Sequence, residues 1–139
     1  MPVSFLIIDD DTDDIELFRE ALREVDDEIE CQGESDAQHA LDGLLDGHSR
    51  YPNVIFLDVN MPSVTGWEVL EKLKKLDNTR HIPVVMYSTS SHTRDIDKSS
   101  QMGADYFLVK PSVYSTLKNQ LLQIICHVKN GIPLDHLRK

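Results

Sequence analysis

The chain has 139 residues, of which 40% are hydrophobic and 27% are charged, as in an ordinary globular domain. The net charge of −10 argues against nucleic-acid binding, because phosphate contacts need clustered lysine and arginine. No apolar run reaches the length of about 18 residues that spans a membrane, and the basic region of a signal peptide is missing, so we expect a cytoplasmic protein. The two cysteines, Cys31 and Cys126, are expected to be buried free thiols.

Strand and helix patterns alternate along the chain. Residues 5–8 form an apolar run typical of a strand buried on both faces, and residues 13–25 carry a helical apolar stripe. The next elements are a weak strand at 29–32, a helix capped by Ser35 or Asp36, a strand at 54–57, a helix that includes Trp67, a strand at 84–87, a polar helix at about 92–102, a strand at 106–109 and a helix at about 113–128. This alternation predicts an α/β fold with a doubly wound, five-stranded parallel sheet between helices.

We expect one domain over residues 1–139. Its core should lie at about residues 4–128, and residues 129–139 form a C-terminal tail too short for another domain.

Polar residues follow four of the predicted strands. They are Asp9, Asp10 and Asp11 after the first strand, Asp58 after the third, Ser88 after the fourth, and Lys110 with Pro111 after the fifth. Because ligands of doubly wound sheets bind at the carboxyl ends of the strands, these side chains can converge on one pocket.

A pocket that gathers these carboxylates needs positive charge. Two carboxylates about 4 Å apart repel by about 4 kcal/mol at an effective dielectric constant of about 20. Lys110 supplies one positive charge, and oxygen ligands without His or Cys indicate a hard divalent ion such as Mg²⁺. A carboxylate nucleophile, a hard cation, a lysine and a hydroxyl are together suited to phosphoryl transfer.

Four segments in order, FLIIDD, VIFLDVNMPSVTG, VVMYS and YFLVKP, resemble the receiver domain of two-component response regulators. The resemblance covers about residues 4–128 and implies a flavodoxin-like, three-layer fold with five helices and strand order 2-1-3-4-5. Residues 88–111 also resemble small stand-alone regulators, both the chemotaxis type and those paired with phytochrome-type kinases.

The resemblance implies a metal site for Mg²⁺ or Mn²⁺. Asp10 would bind the ion directly and Asp9 largely through water. Asp58 and the backbone carbonyl of Asn60 would complete the protein ligands.

It also implies the residues of the transfer itself. Asp58 would be the phosphoacceptor, with Ser88 and Lys110 as its catalytic partners. Ser88 and Phe107 would act as the switch pair, although an aromatic residue in a core strand can serve packing alone. The Lys110–Pro111 peptide bond would be cis.

The implied function is a single-domain response regulator, which is a signalling switch rather than a metabolic enzyme. A histidine kinase or a histidine phosphotransfer protein would donate the phosphoryl group. Phosphorylation would reshape the surface of the fourth helix, fifth strand and fifth helix, and an unknown protein target would bind there. Monomer and weak homodimer both stay open, and no membrane or nucleic-acid partner is expected.

Several local assignments follow from the residues alone. We expect Asp11 to be solvated, with a supporting role in the metal site as the alternative. Thr12 or Asp13 is expected to cap the first helix, and Asp13 and Asp14 to favour its positive end. Gly66 is expected at a turn with positive φ or where the loop approaches closely.

Three other functions compete with the receiver interpretation. Asp9, Asp11, Asp13 and Glu20 match positions of a calcium EF-hand loop, but position 6 of that loop is Asp14 instead of glycine. Asp9 and Asp11 match the DxD nucleophile motif of haloacid-dehalogenase-type phosphatases. A receiver-like scaffold for protein interactions that is not regulated by phosphate is the third.

Overall fold

The structure is a computed structural model that describes residues 2–47, 50–62 and 64–138. Five strands alternate with five helices. The strands are β1 (Ser4–Ile8), β2 (Glu30–Glu34), β3 (Val54–Asp58), β4 (Val84–Ser88) and β5 (Tyr106–Val109). The helices are α1 (Thr12–Val25), α2 (Ala37–Leu45), α3 (Gly66–Lys75), α4 (Thr93–Gln101), α5 (Tyr114–Lys129) and a C-terminal 3-10 helix (Leu134–Arg138).

The strands form one parallel sheet in the order β2-β1-β3-β4-β5, which confirms the predicted fold class and topology. β2 begins one residue later and ends two residues later than the weak strand predicted at 29–32. Its register with β1 runs from Ser4 opposite Glu30 to Ile8 opposite Glu34. β2 is an edge strand with polar residues, so its apolar pattern is too weak to mark its end.

Two hydrophobic clusters lie on opposite faces of the sheet. Successive residues of each central strand alternate between them, as Phe5 and Ile7 face α1 and α5, whereas Leu6 and Ile8 face α2 and α3. This two-sided burial explains why the central strands are apolar at nearly every position. On the α1 face, the Phe18 ring packs at 4.7 Å from that of Phe56.

The helix caps fix where the helices begin. The Oδ1 atom of Asp11 accepts hydrogen bonds from the backbone N–H groups of Asp13 at 2.9 Å and Asp14 at 3.3 Å. Asp11 is therefore the N-cap of α1, and the predicted cap at Thr12 or Asp13 is wrong by one or two residues. Asp36, one of the two candidates, caps α2.

Two further expectations need correction. The Lys110–Pro111 bond, expected to be cis, is trans, as are all peptide bonds in the described ranges. The trans preference of X–Pro bonds is only about 0.5–1 kcal/mol, so the isomer depends on tertiary surroundings. The expectation of two buried thiols is also wrong, because Cys126 is exposed and Cys31 is half-buried. The predicted C-terminal tail includes the 3-10 helix, whose Leu134 is buried.

Within the described part of the chain, no helix combines the length and the apolar character needed to cross a bilayer.

Gly66 joins the end of β3 to the start of α3. A Cβ atom at this position would lie 2.1 Å from the carbonyl oxygen of Asp58, and the Gly66 N–H donates to the Val59 carbonyl at 3.0 Å. Close approach, rather than positive φ, is therefore the reason for glycine here. The contact holds α3 against the strand that carries Asp58.

We expect Gly66→Ala to lower the free energy of unfolding by about 3 kcal/mol, because the added methyl group meets rigid backbone. Gly47→Ala is the control, since its Cβ has open space and only a positive φ of 70°, which costs about 1 kcal/mol. Urea denaturation of both variants tests this. Equal losses would contradict the steric explanation.

Candidate functional site

The carboxyl ends of four strands bring the predicted site residues together. Asp9 directly follows β1, Asp58 ends β3, Ser88 ends β4 and Lys110 directly follows β5. The backbone N–H of Lys110 donates to the Ser88 carbonyl at 2.7 Å, which extends the β4–β5 ladder to the site. The sheet register thus sets the relative positions of the four residues.

Three of the acids form a cluster that fits a divalent cation. Oxygen atoms of Asp9, Asp10 and Asp58 lie within 4.8 Å of one another. Asp9 is fully buried and Asp58 is 6% exposed, whereas Asp10 is open to solvent. Carboxylate oxygens suit a hard ion that keeps several water ligands. The carbonyl of Asn60 remains a predicted ligand.

Lys110 brings positive charge into this cluster. Its Nζ atom lies 2.8 Å from Asp9 Oδ2, 2.8 Å from Asp14 Oδ2 and 3.6 Å from Asp58 Oδ1. The ammonium also lies 5.2 Å from the centre of the Tyr87 ring. Lys110 therefore makes hydrogen bonds toward α1 and only an ion-pair contact with Asp58.

Both carboxylate oxygens of Asp9 accept hydrogen bonds. Oδ1 accepts from the backbone N–H of Asp11 at 2.9 Å, and Oδ2 accepts from Lys110. A fully buried carboxylate in these contacts is poorly placed to attack a substrate, which argues against the phosphatase alternative. The EF-hand alternative also fails, because residues 12–25 form helix α1 instead of a calcium-binding loop.

The pKa values reflect crowded negative charge. Burial raises the pKa of Asp58 to about 7, with Lys110 opposing the shift and Asp9 and Asp10 adding to it. Burial also raises the pKa of Asp9 against hydrogen bonds from Lys110 and Asp11. Burial alone would lower the pKa of Lys110, but hydrogen bonds to Asp14 and Asp9 raise it, so Lys110 stays charged. A divalent cation would stabilise the ionised form of the acids.

Ser88 is fully buried at the end of β4. Its Oγ atom accepts a hydrogen bond from the backbone N–H of Ser90 at 3.1 Å. Ser90 Oγ in turn donates to Asp95 Oδ2 at 2.7 Å, which connects this loop to the first turn of α4. The position of the Ser88 hydroxyl therefore depends on the conformation of the β4–α4 loop.

Phe107 packs in the core on the α4 side of the sheet and is 9% exposed. It borders a cavity of about 340 Å³, which is also lined by Ile96, Asp97, Ser100, Tyr106 and Leu137. In this conformation Phe107 is a core-packing residue, and the cavity leaves space next to its ring. Its switch role stays a prediction.

Asp14 is the site residue that the sequence interpretation missed. The sequence predicts only that Asp14 favours the positive end of α1, yet its carboxylate also accepts a hydrogen bond from Lys110. Asp14 stands four residues before the buried Phe18, at the head of the α1 stripe that faces the sheet. An acid on the buried stripe of a helix was the available signal. Asp11, the remaining undecided acid, is exposed and caps the helix.

Comparison with known proteins agrees with this geometry. The model of the response regulator receiver domain matches residues 5–122. The chain is 31% identical over 113 residues to the polar-differentiation response regulator DivK of Brucella anthropi, a match that covers 80% of this chain and 86% of DivK. It is 39% identical over 66 residues to the two-component response regulator ARR6 of Arabidopsis thaliana, covering 48% of this chain and 36% of ARR6.

Solved structures give the same fold. The phosphorylated cyanobacterial phytochrome response regulator RcpA superposes with a TM-score of 0.84 at 27% identity, over 93% of this chain and 95% of RcpA. The Mn²⁺-bound response regulator Rcp1 superposes with a TM-score of 0.77 at 28% identity, over 88% of this chain and 91% of Rcp1.

The raised pKa of Asp58 predicts a pH-dependent stability. Between pH 3.8, which is the usual pKa of this carboxyl group, and about pH 7, Asp58 holds a proton in the folded protein but has lost it in the unfolded chain. Stability from this residue therefore falls as the pH rises through that window and stays low above it. In EDTA at pH 8, Asp58→Asn is expected to raise the free energy of unfolding by about 2 kcal/mol, and by less than half of that amount at pH 5, where only part of the cost of ionising Asp58 has accumulated.

Urea denaturation at both pH values measures this difference, and saturating Mg²⁺ should reduce it. Asp27→Asn, at an exposed acid, is the control and should change little. A loss of stability in Asp58→Asn at pH 8, or a gain that is equal at pH 5, would contradict the prediction.

Proposed function

The chain belongs to the response regulator receiver domain family, and we propose that it is a single-domain switch that accepts a phosphoryl group on Asp58. The observation that carries the proposal is the contact of Lys110 with both Asp9 and Asp58 beside exposed Asp10. A nucleophilic carboxylate, a cation-binding pair and a fixed ammonium are the groups that phosphoryl transfer needs.

Asp9, Asp10 and Asp58 would hold Mg²⁺ or Mn²⁺, with the backbone carbonyl of Asn60 as the further protein ligand. The bound ion would neutralise charge on the phosphoryl oxygens and hold the ionised state of the acids. The Mn²⁺ of Rcp1 supports a divalent site in a related protein.

The transfer itself needs one bond exchange. An oxygen of ionised Asp58 attacks the phosphorus of a phosphohistidine, and the P–N bond breaks as the O–P bond forms. The bonding electron pair stays on the donor imidazole nitrogen, and the product on this chain is an aspartyl phosphate. Lys110 stabilises charge on the transferred group, and Ser88 donates a hydrogen bond to one of its oxygens.

A donor protein can reach the site from the side of Asp10. A cavity of about 260 Å³ opens there, between the first turn of α2 and Met61, Pro62 and Val64. The donor would be a histidine kinase or a histidine phosphotransfer protein, since these present phosphohistidine. A cytoplasmic location, the monomer or weak homodimer, and one domain over residues 1–139 belong to the same proposal.

Movement of Ser88 toward the phosphoryl group would start the switch. Ser88 would exchange its bond with the Ser90 N–H for one with the phosphoryl group, which frees the β4–α4 loop. Phe107 would then turn and change the cavity between α4, β5 and the C-terminal 3-10 helix. The α4–β5–α5 surface is thus proposed to bind the target in only one state.

Incubation with acetyl phosphate and Mg²⁺ is expected to add one phosphoryl group, which intact-mass measurement detects. The adduct should be absent without Mg²⁺ and in Asp58→Asn. Because rapid hydrolysis can hide it, beryllofluoride binding is measured by calorimetry in parallel.

The scaffold alternative predicts neither an adduct nor beryllofluoride binding, and that result would contradict the proposal. Labelling of Asp9 instead of Asp58 would favour the phosphatase.

Hydrogen exchange tests the proposed surface. With Mg²⁺ and beryllofluoride, we expect altered exchange in residues 88–101 and 106–109 and little change in β2. Asp58→Asn should show no such response. A response confined to the loops at the site would contradict the switch while leaving phosphorylation intact.

A further inference from the structure

We propose that Asp14 is a positioning residue that competes with the acceptor for Lys110 and so sets how readily the switch is activated. This inference rests on the proposed function and adds a residue to it. Asp14 approaches Nζ as closely as Asp9 does, at 2.8 Å, whereas Asp58 lies at 3.6 Å. The ammonium is thus bound mainly on the α1 side of the site.

The surroundings make this competition effective. The Lys110 side chain is 12% exposed and that of Asp9 is 0% exposed, so solvent screens their charges weakly. Asp14 is 35% exposed and keeps part of its hydration, so it can release the ammonium at a modest cost. Asp9 is therefore better suited to stay bound to Lys110 throughout, and Asp14 to release Lys110 when the site changes.

Asp14 is held in place by the start of α1. Its backbone N–H donates to Asp11 Oδ1, and its helix is anchored to the sheet by Phe18 packing on Phe56 and Tyr87. The carboxylate therefore stays within reach of Lys110 while the ammonium moves. A phosphoryl group on Asp58 adds negative charge on the opposite side, and Lys110 must then divide its charge between that group and Asp14.

Replacing Asp14 by Asn keeps the shape of the side chain and removes its charge. With Mg²⁺ saturating for each variant, we expect Asp14→Asn to bind beryllofluoride about fivefold more tightly than the wild type. Asp13→Asn is the matched control, because it removes an exposed acid from the same helical turn. Asp14→Glu restores the carboxylate and should return the affinity to within about twofold of the wild type.

A second readout separates positioning from a structural role. Asp14→Asn loses an ion pair, so its metal-free melting temperature should fall while its beryllofluoride affinity rises. A merely structural residue would lower both. Weaker or unchanged beryllofluoride binding in Asp14→Asn would overturn the inference, as would an equal gain in Asp13→Asn.

Failure of the proposed function gives a different result. In that case the wild type, Asp14→Asn and Asp13→Asn all fail to bind beryllofluoride, and the inference falls with the function. Binding by the wild type without a specific effect of Asp14→Asn would leave the function standing and reject only the role of Asp14.

Discussion

Repulsion among carboxylates at the carboxyl end of the sheet is the constraint on which the site depends. Asp9 and Asp10 follow β1 and Asp58 ends β3, so the pairing of these two strands brings the three carboxylates together. Lys110, which follows the strand two positions away from β3, supplies an ammonium that offsets part of this repulsion. The excess of negative charge that lowers the stability of the fold would also favour the binding of a divalent cation at these carboxylates.

The fold around the site is built to hold these charges in place. Two apolar faces bury the central strands, and aromatic contacts from Phe18 fix α1 across the sheet. Gly66 lets α3 begin directly against the carbonyl of Asp58. At the β4–α4 loop, by comparison, the Ser88 hydroxyl is linked through Ser90 to Asp95 by a short series of hydrogen bonds. The proposed switch would need both features, because a small change at the proposed phosphoacceptor has to move a segment that is held by fewer contacts.

Stability and function oppose each other at Asp58. Burial raises its pKa to about 7, so its ionised form costs stability at the pH where a nucleophile must be ionised. An amide at this position would relieve that cost and remove the chemistry. Stability and the proposed function are also opposed at Asp14. Its carboxylate stabilises the charged Lys110, but the contact holds the ammonium on the α1 side, away from Asp58. Buried carboxylates that lower the stability of the fold are thus found at the proposed functional site, where such departures from stable packing are expected.

The sheet, the helices and the strand-end residues are predictable from the sequence, because two-sided burial leaves an apolar run and an abrupt polar end for β1, β3, β4 and β5. It determined less where those signals are weak, as at the polar edge strand β2, or where neighbours compete, as at the N-cap of α1. The three-dimensional structure was needed to show that Asp14 contacts Lys110, 96 positions away, and that the Lys110–Pro111 bond is trans. The contact depends on how α1 and the end of β5 meet on one face of the sheet, and no local pattern encodes the distance between two side chains from different elements.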